Sequence, residues 1–296
     1  MRRKHPSYEI VVAEALKVFE QYDSALTLRQ LYYRLVSKQL IPNTINSYKR
    51  LSRIMVRARE EGDAPVNCLE DRSRRILGRG DTIYITAPDF LKKRLTSLRE
   101  SYKDFRMPMW DAQSNYILVS LEKDALSRLV SDIANQYSIR TFPTRGYPSF
   151  TYVNRMATYI RNRLKGKPTI VLYFGDFDPS GIDIERDLEE RLGKYNAGDF
   201  KVRRVALTKD QIQQYNLPHM PVKRSDARSD SFLESYGDQS VELDALDPNT
   251  LKLMVAQSIA SHIDLNAWKR KEEEIEKLRL WIKGKLQNME TLIAEQ

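Results

Sequence analysis

The sequence predicts an α/β protein in which a basic helical domain precedes a domain with a parallel sheet and a helical tail. Strand-like and helix-like segments alternate from residue 116 onward, which favours a parallel sheet with helices on both faces. The net charge is +9, and the first 110 residues hold all of the excess, with 22 Lys and Arg against 13 Asp and Glu. A charged amphipathic segment begins at Asn266. We therefore predict domains over residues 1–110, 111–260 and 261–296.

Amphipathic helices are expected in the basic first domain. Apolar spacing predicts a helix over residues 7–22, and Thr27 offers an N-cap to a second helix that begins at Leu28. A third helix is predicted over residues 46–62, and the TIYIT segment at 82–86 could supply a wing strand. This order predicts a helix-turn-helix or winged-helix module.

The second helix carries two adjacent tyrosines whose predicted environments differ. Its leucines form a core-facing stripe. On a helical wheel Tyr32 borders this stripe, whereas Tyr33 points well away from it, on the side of Arg29. We therefore expect Tyr33 to face outward and Tyr32 to lie at the edge of the core.

The third helix carries a row of arginines. Arg50, Arg53 and Arg57 lie on one face and apolar side chains on another, so the helix can dock on a core and present arginines outward. Together with the charge asymmetry, this row favours double-stranded DNA as the partner. A solvated basic face without a ligand is the alternative.

Strand and helix alternate through the second domain. Each predicted strand is followed by a helical segment, and the strands cover residues 116–121, 138–142, 169–174 and 201–207. This pattern predicts a parallel, doubly wound sheet. Sites in such sheets lie at the carboxyl ends of the strands.

Acidic residues follow two of these strands. Glu122 ends the first, and Asp176 and Asp178 follow the third in the stretch FGDFDPSGIDI. Three carboxylates at one edge would suit Mg²⁺ or Mn²⁺, which prefer oxygen ligands. Two alternatives stay open: the DPSG stretch could be only a turn into a helix, and Glu122 could form a buried salt bridge with Lys123 or Arg140.

Cysteine and histidine usage narrows the chemistry further. Cys68 is the only cysteine, which excludes a disulfide framework, and the histidines at positions 5, 219 and 262 are too scattered for a zinc site. The basic start carries Glu9 and Glu14 within its apolar part and so predicts neither a signal peptide nor a membrane span. We expect a cytoplasmic, nucleoid-associated protein whose metal ligands are oxygens.

Five motifs occur in a recognisable order along the chain. They are R-x-x-Y-Y in LRQLYYRL, Glu122 at a strand end, Gly-Tyr-Pro in TRGYPSF, the D-x-D-P-x-G-I-D-I segment, and E-x-x-A-L in VELDAL. Together they resemble the Toprim domain, specifically the version in the A subunit of topoisomerase VI and its meiotic double-strand-break relatives. The match reaches to about residue 260 and is most similar to compact bacterial or mobile-element members.

The resemblance implies a function and a set of site residues. Glu122, Asp176 and Asp178 would hold Mg²⁺ or Mn²⁺, and Tyr33 would attack a DNA phosphodiester as a transesterase of the type IIB topoisomerase kind, with Tyr32 as the alternative nucleophile. Arg29, one turn before Tyr33, would stabilise the phenolate or bind the phosphate.

The resemblance also implies partners. Arg145, in the Gly-Tyr-Pro loop, would contact DNA. Because the tyrosine of one subunit works with the metal of the other in that family, a twofold homodimer is implied. No nucleotide site is legible in this chain, so strand passage driven by ATP would need a separate ATPase subunit.

Two rival functions survive at the level of sequence. A Toprim endonuclease would keep the metal and use water as the nucleophile, leaving Tyr32 and Tyr33 as packing residues. An aspartate-nucleophile phosphatase would use the DFDPS motif. That motif usually follows the first strand of its domain, and a phosphatase has no use for the basic first third.

Overall fold

A computed structural model of the chain describes residues 6–23, 25–70, 86–163 and 166–294. The described residues of Met1–Arg74 and Asn115–His262 form one compact unit, and those of Arg75–Ser114 and Ile263–Gln296 form a second. This division differs from the predicted domains, because residues 86–110, expected in the first domain, group with the terminal helix.

The first unit begins with the helices of the basic module and continues into the sheet. Its leading helices are α1 (Tyr8–Phe19), α2 (Leu28–Ser37) and α3 (Ile45–Glu61). In the second unit, α4 (Ala87–Glu100) is followed much later in the chain by α11 (Leu265–Ala294). The strands of the first unit are β1 (Tyr116–Leu121), β2 (Thr141–Pro143), β3 (Thr169–Phe174) and β4 (Phe200–Ala206). Its remaining helices are α5 (Ser127–Gln136), α6 (Phe150–Arg163), α7 (Pro179–Lys194), α8 (Lys209–Gln214), α9 (Ser229–Tyr236) and α10 (Pro248–Ala260).

The described strands form a parallel sheet in the order β2-β1-β3-β4. On one face, Leu118, Val171 and Tyr173 pack with apolar side chains of α6 and α7. The other face, which includes Ile117 and Phe174, is equally buried, and α5 packs against α10. A sheet buried on both faces confirms the predicted α/β class and is compatible with a Toprim-like fold.

The strand order places a crevice between β1 and β3. The chain steps from β1 to β2 in one direction and then returns past β1 to β3 and β4 in the other. Right-handed crossovers therefore put α5 on the face opposite to α6 and α7. The connections diverge at the carboxyl ends of β1 and β3, which is where open α/β sheets bind ligands.

The amino-terminal helices form as their capping and apolar patterns predict. The hydroxyl of Thr27 accepts from the backbone N–H of Gln30, whose side chain accepts from the backbone N–H of Thr27, so both groups cap α2. Leu31 and Leu35 are fully buried. The predicted wing strand lies outside the described residues apart from Thr86, which caps α4 instead, so a winged-helix domain stays a prediction.

The second unit joins α4, α11 and the segment that precedes β1. Trp110 packs edge-on against Trp268, with ring centroids 5.7 Å apart, and the backbone N–H of Asp264 donates to the side-chain oxygen of Gln113 at 2.7 Å. The tail is one long helix, as predicted. Within the parts of the chain that the structure describes, no helix combines the length and the apolar character needed to cross a bilayer.

Gly181, in the first turn of α7, lets this helix approach the end of β3. A Cβ built there would lie 2.9 Å from the carbonyl carbon of Asp176, closer still to its oxygen, and 3.1 Å from Oε2 of Glu122. Gly193, near the other end of the same helix, has nothing within 4 Å of the equivalent position.

Gly181→Ala is expected to lower the free energy of unfolding by about 1–3 kcal/mol, because overpacking must displace backbone. The matched control Gly193→Ala should be neutral or stabilising by roughly 0.5–1 kcal/mol through helix propensity. Urea denaturation of both variants measures the difference. Equal stability of the two proteins would mean that the sheet edge tolerates a wider α7 approach.

Candidate metal-binding cleft

A cleft of about 840 Å³ opens between α2, α3 and the carboxyl ends of β1 and β3, within the first unit. Its walls carry charges of both signs. The acidic residues that line it are Glu70, Glu122, Asp124, Asp176, Asp178, Glu242 and Asp244. The basic ones are Arg29, Arg59, Lys123, Arg145 and Lys223. All three acids predicted to hold a metal therefore face one space.

The pairing of β1 with β3 brings Glu122 next to Asp176. Leu121 pairs with Phe174 in register, and the backbone N–H of Glu122 donates to the carbonyl of Phe174 at 2.9 Å. One step beyond, the backbone N–H of Asp176 donates to Oε2 of Glu122 at 2.8 Å. The convergence predicted from strand ends is thus confirmed for these two residues.

Asp178 has a structural role at the same edge. Its Oδ1 accepts from the backbone N–H of Gly181 at 2.7 Å, so it is the N-cap of α7, with Pro179 in the first turn. The reading of DPSG as a turn into a helix is therefore confirmed. Because Asp178 also lines the cleft, capping and ligand binding are compatible roles for its two oxygens.

A segment distant in sequence completes the acidic cluster. Phe177 and Val241 exchange backbone hydrogen bonds of 2.8 and 2.9 Å, and the backbone N–H of Leu243 donates to Oδ1 of Asp176 at 2.7 Å. This antiparallel contact places Glu242 and Asp244 beside the strand end. Both were missed as site residues, although two acids spaced by two in VELDAL were a usable signal.

The ammonium of Lys123 lies among these carboxylates. Its Nζ is 2.6 Å from Asp244, 2.9 Å from Glu242 and 3.3 Å from Asp176. Burial opposes the charge on Lys123, but the three carboxylates outweigh it and raise its pKa well above the ordinary value. Among the described residues, Lys123 thus pairs with Asp176, Glu242 and Asp244 and not with Glu122.

The other predicted partner of Glu122 has a different environment. The Arg140 guanidinium lies 4.8 Å from the centroid of the Tyr159 ring, a cation–π contact. The nearby Arg204 donates to the backbone oxygens of Asp176 and Gly181 at 3.1 and 2.8 Å, which fixes the chain that surrounds the acids.

The environment of the carboxylates at the strand ends disfavours their charged forms. Burial raises the pKa of Asp176 to about 8, even though Lys123 opposes the shift. Burial also raises the pKa of Glu122, and the charge of Asp178 adds to the effect. An additional cation bound at this edge would stabilise the charged forms of both carboxylates.

The donor set fits a divalent oxygen-binding cation. Carboxylates of Glu122, Asp176 and Asp178 supply the ligand type that Mg²⁺ and Mn²⁺ prefer. Oδ1 of Asp244 is buried without a hydrogen-bond partner, an uncompensated acceptor in the same cluster. In the described residues no three such side chains yet converge as a ready-made cage. A cation would compete with Lys123 for Asp176 and would require side-chain rotation.

The structure contradicts the expected exposure of Tyr33. Its side chain is buried, at 2% relative exposure, and Tyr32 is buried as well, at 5%. Residues 243–245, distant in sequence, pack against α2. A wheel drawn for one helix could not reveal such a contact. Burial raises the pKa of Tyr33, and the charge of Glu242 raises it further.

The two tyrosines differ in their hydroxyl contacts. The hydroxyl of Tyr32 donates toward Oδ1 of Asn43 at 3.0 Å and the carbonyl of Thr44 at 3.1 Å, which ties α2 to the start of α3. The charges of Arg29 and Glu242 act on the pKa of both hydroxyls, and those of Lys123 and Asp244 act in addition on the pKa of Tyr33. Tyr33 remains the tyrosine nearer to the acidic cluster.

Of the predicted DNA-binding arginines, those of the α3 row lie away from the cleft. Arg50 donates to the carbonyl of Pro6 at 2.7 Å, and Arg57 pairs with Glu61 at 2.9 Å while its guanidinium lies over the Tyr8 ring. Arg53 is exposed. These three arginines therefore lie on a different face from the cleft, and their contact with DNA stays a prediction.

The cleft has basic residues of its own. Arg145 lines it and pairs with Asp124 at 2.8 Å, and its contact with DNA stays a prediction. Arg59 from α3 and Lys223 line it too, and sequence reasoning missed both. Arg59 lies two residues beyond the predicted row, where only the tertiary structure distinguishes the cleft side from the outer side.

The charge on Asp176 gives a pH-dependent prediction. Its folded pKa of about 8 exceeds the ordinary 3.8, so folding favours the protonated acid and wild-type stability falls as the pH rises between these values. At about pH 8.5 without metal, Asp176→Asn, which keeps an acceptor for Leu243, should melt about 2–4 °C above wild type. At about pH 5 this difference should shrink to well under half, because protonating Asp176 on folding costs much less near its unfolded pKa of 3.8.

Thermal melts with added Mg²⁺ complete this test. Mg²⁺ should raise the melting temperature of the wild type at about pH 8.5 but not that of Asp176→Asn, because a ligand that binds the folded state stabilises it. A wild-type melting temperature that ignores millimolar Mg²⁺ and Mn²⁺ would contradict the assignment of the acids as cation ligands.

Comparison with known proteins adds no family assignment to this geometry. No protein-family model matches the chain, and no curated protein matches it. The likeness to the Toprim domain therefore rests on the ordered motifs, and the structure adds the parallel sheet that carries Glu122, Asp176 and Asp178 at one edge.

Proposed function

We propose that the chain cleaves phosphodiester bonds of double-stranded DNA in a reaction that depends on Mg²⁺ or Mn²⁺. The observation that carries the proposal is the position of Glu122, Asp176 and Asp178 at the strand-order reversal, in a cleft that Arg29 and Arg59 also line. Carboxylates for a metal and cations for phosphates are the two groups that such a reaction needs.

The charge distribution supports DNA as the substrate. The first 110 residues carry the entire net positive charge of +9, and α2 and α3 from this part form one wall of the cleft. Phosphate contacts from such a wall would supply affinity without sequence preference. The arginines of the α3 row and Arg145 remain proposed DNA contacts.

The residues of the chain have distinct roles in the proposed reaction. A metal held by Glu122, Asp176 and Asp178 would stabilise charge on the transferring phosphate and on the leaving 3′ oxygen. Arg29 would bind the phosphate, and Lys123 would hold Asp176 in place. The close approach of α7 to the end of β3 at Gly181 fixes this helix, and with it Asp178, against the strand end.

Tyr33 is the first candidate nucleophile. The R-x-x-Y-Y resemblance selects it, and the charges of Lys123 and Asp244 act on its hydroxyl in addition to those of Arg29 and Glu242, which also act on Tyr32. Because Tyr33 is 2% exposed, its attack on DNA requires that the residues packed around it move. A transesterase of this kind would act as a homodimer, and strand passage would need a separate ATPase subunit.

Water is the second candidate nucleophile, and the burial of Tyr33 favours it. A buried phenol with a raised pKa is a poor nucleophile, whereas the cleft itself is open to solvent. The protein would then be a Toprim-like endonuclease. A phosphatase role for Asp176 is disfavoured, because this residue follows β3 and its Oδ1 already accepts from Leu243.

Incubation with supercoiled DNA and Mg²⁺ or Mn²⁺, followed by denaturant, tests the function and separates the two nucleophiles. A transesterase should leave protein attached to 5′ ends, and Tyr33→Phe should lower cleavage by about 10³-fold or more, since no other group replaces the hydroxyl. Tyr32→Phe is the matched control and should retain the adduct, with at most a stability loss from its contacts to Asn43 and Thr44.

The remaining outcomes are equally informative. Wild-type cleavage rates in Tyr33→Phe, without an adduct in any protein, would establish water as the nucleophile. Loss of the adduct in Tyr32→Phe alone would transfer the role to Tyr32. Absence of cleavage with either metal, or full cleavage in excess chelator, would contradict the proposed function.

A further inference from the structure

Two cations from different parts of the chain converge on the carboxylate of Glu242. The Arg29 guanidinium, on α2, donates from Nε and Nη2 to both carboxylate oxygens, and the Lys123 ammonium, just after β1, lies 2.9 Å from Oε2. The carboxylate thus bridges the basic helices and the sheet edge. It does so inside the cleft, which all three residues line.

This arrangement has the geometry of a phosphate site. An arginine fork that binds both oxygens of a carboxylate matches two oxygens of a phosphate equally well. The ring of Tyr48 lies 5.3 Å from the Arg29 guanidinium and helps to keep the fork in place. Lys123 also lies 3.3 Å from Asp176, so the position adjoins the proposed metal ligands.

We propose that Arg29 and Lys123 form a subsite for one backbone phosphate of DNA, and that the Glu242 carboxylate fills this subsite until DNA displaces it. The inference rests on the proposed function, because it takes DNA as the ligand of the cleft. It adds Lys123 as a second cation for the phosphate that Arg29 binds, and Glu242 as a built-in competitor for that phosphate.

Exchange of one anion for another makes the displacement feasible. Removal of Glu242 without replacement would leave the buried Lys123 short of a counterion, which is strongly destabilising. A phosphate that arrives as the carboxylate leaves keeps both cations paired. The side chains of Glu242 and Arg29 are 25% and 41% exposed, so the carboxylate has room to turn toward solvent.

The competitor raises the apparent dissociation constant of DNA, because the subsite is open for only a fraction of the time. Glu242→Gln keeps the shape and removes the charge that holds the fork. This variant should bind a double-stranded oligonucleotide about tenfold more tightly than wild type, as expected if the subsite is open about a tenth of the time. The log–log slope of its affinity against salt should stay close to that of the wild type, because the same phosphate contacts form in both complexes once the carboxylate is displaced.

Fluorescence anisotropy in chelator, over a series of salt concentrations, measures both quantities without cleavage. Glu70→Gln is the matched control, because Glu70 lines the same cleft and its carboxylate lies 3.7 Å from the guanidinium of Arg128. Its affinity should change by less than about twofold, the size of a screened charge effect. Arg29→Lys keeps the charge but loses the fork, so it should bind DNA several-fold more weakly.

Each result decides the matter. Unchanged or weaker binding by a folded Glu242→Gln protein overturns the inference, as does an equal gain in Glu70→Gln, which would reflect cleft charge in general. If circular dichroism shows that Glu242→Gln does not fold, Arg29→Lys decides, and unchanged affinity there overturns the subsite. Absence of DNA binding by the wild type overturns the proposed function and this inference together, whereas DNA cleavage without the Glu242→Gln gain overturns only the inference.

Discussion

The cleft depends on the ion pairs that the Lys123 ammonium forms with three carboxylates. The ammonium holds Asp176, from the end of β3, together with Glu242 and Asp244, from a segment more than sixty residues later in the chain. Without this charge, burial and mutual repulsion would oppose the approach of the three carboxylates. The backbone hydrogen bonds between Phe177 and Val241 bring the two segments together, and the charge of Lys123 offsets the resulting repulsion among the carboxylates.

The same network connects the basic helices to the sheet. Arg29 bridges to Glu242, and further along α2 Arg34 donates to the carbonyl of Ala245 and lies 3.3 Å from Asp247. These contacts place α2, with Tyr33 on it, directly against the segment that carries the additional acids. In the proposed function, DNA must displace these contacts, because a backbone phosphate would compete with Glu242 for the same cations.

The sequence predicted the sheet and its acidic edge well, because both are set by local patterns. Continuous apolar runs gave β1 and β3 with their observed bounds, and strand-end position gave the approach of Glu122 to Asp176. The environment of Tyr33 was predicted wrongly, because segments distant in sequence, residues 243–245 among them, pack against α2. The partners of Lys123 and the grouping of residues 86–110 with the terminal helix also depend on contacts between segments distant in sequence. The periodicity of a single helix carries no information about such contacts.

The central claim is that the carboxylates at the ends of β1 and β3 bind a divalent cation. Crystals of the protein soaked in Mn²⁺ and measured for anomalous scattering test it most directly. The account predicts an anomalous peak within about 2.0–2.5 Å of carboxylate oxygens from Glu122, Asp176 and Asp178. A well-ordered cleft without such a peak, or with Mn²⁺ bound only at other carboxylates, would contradict the account.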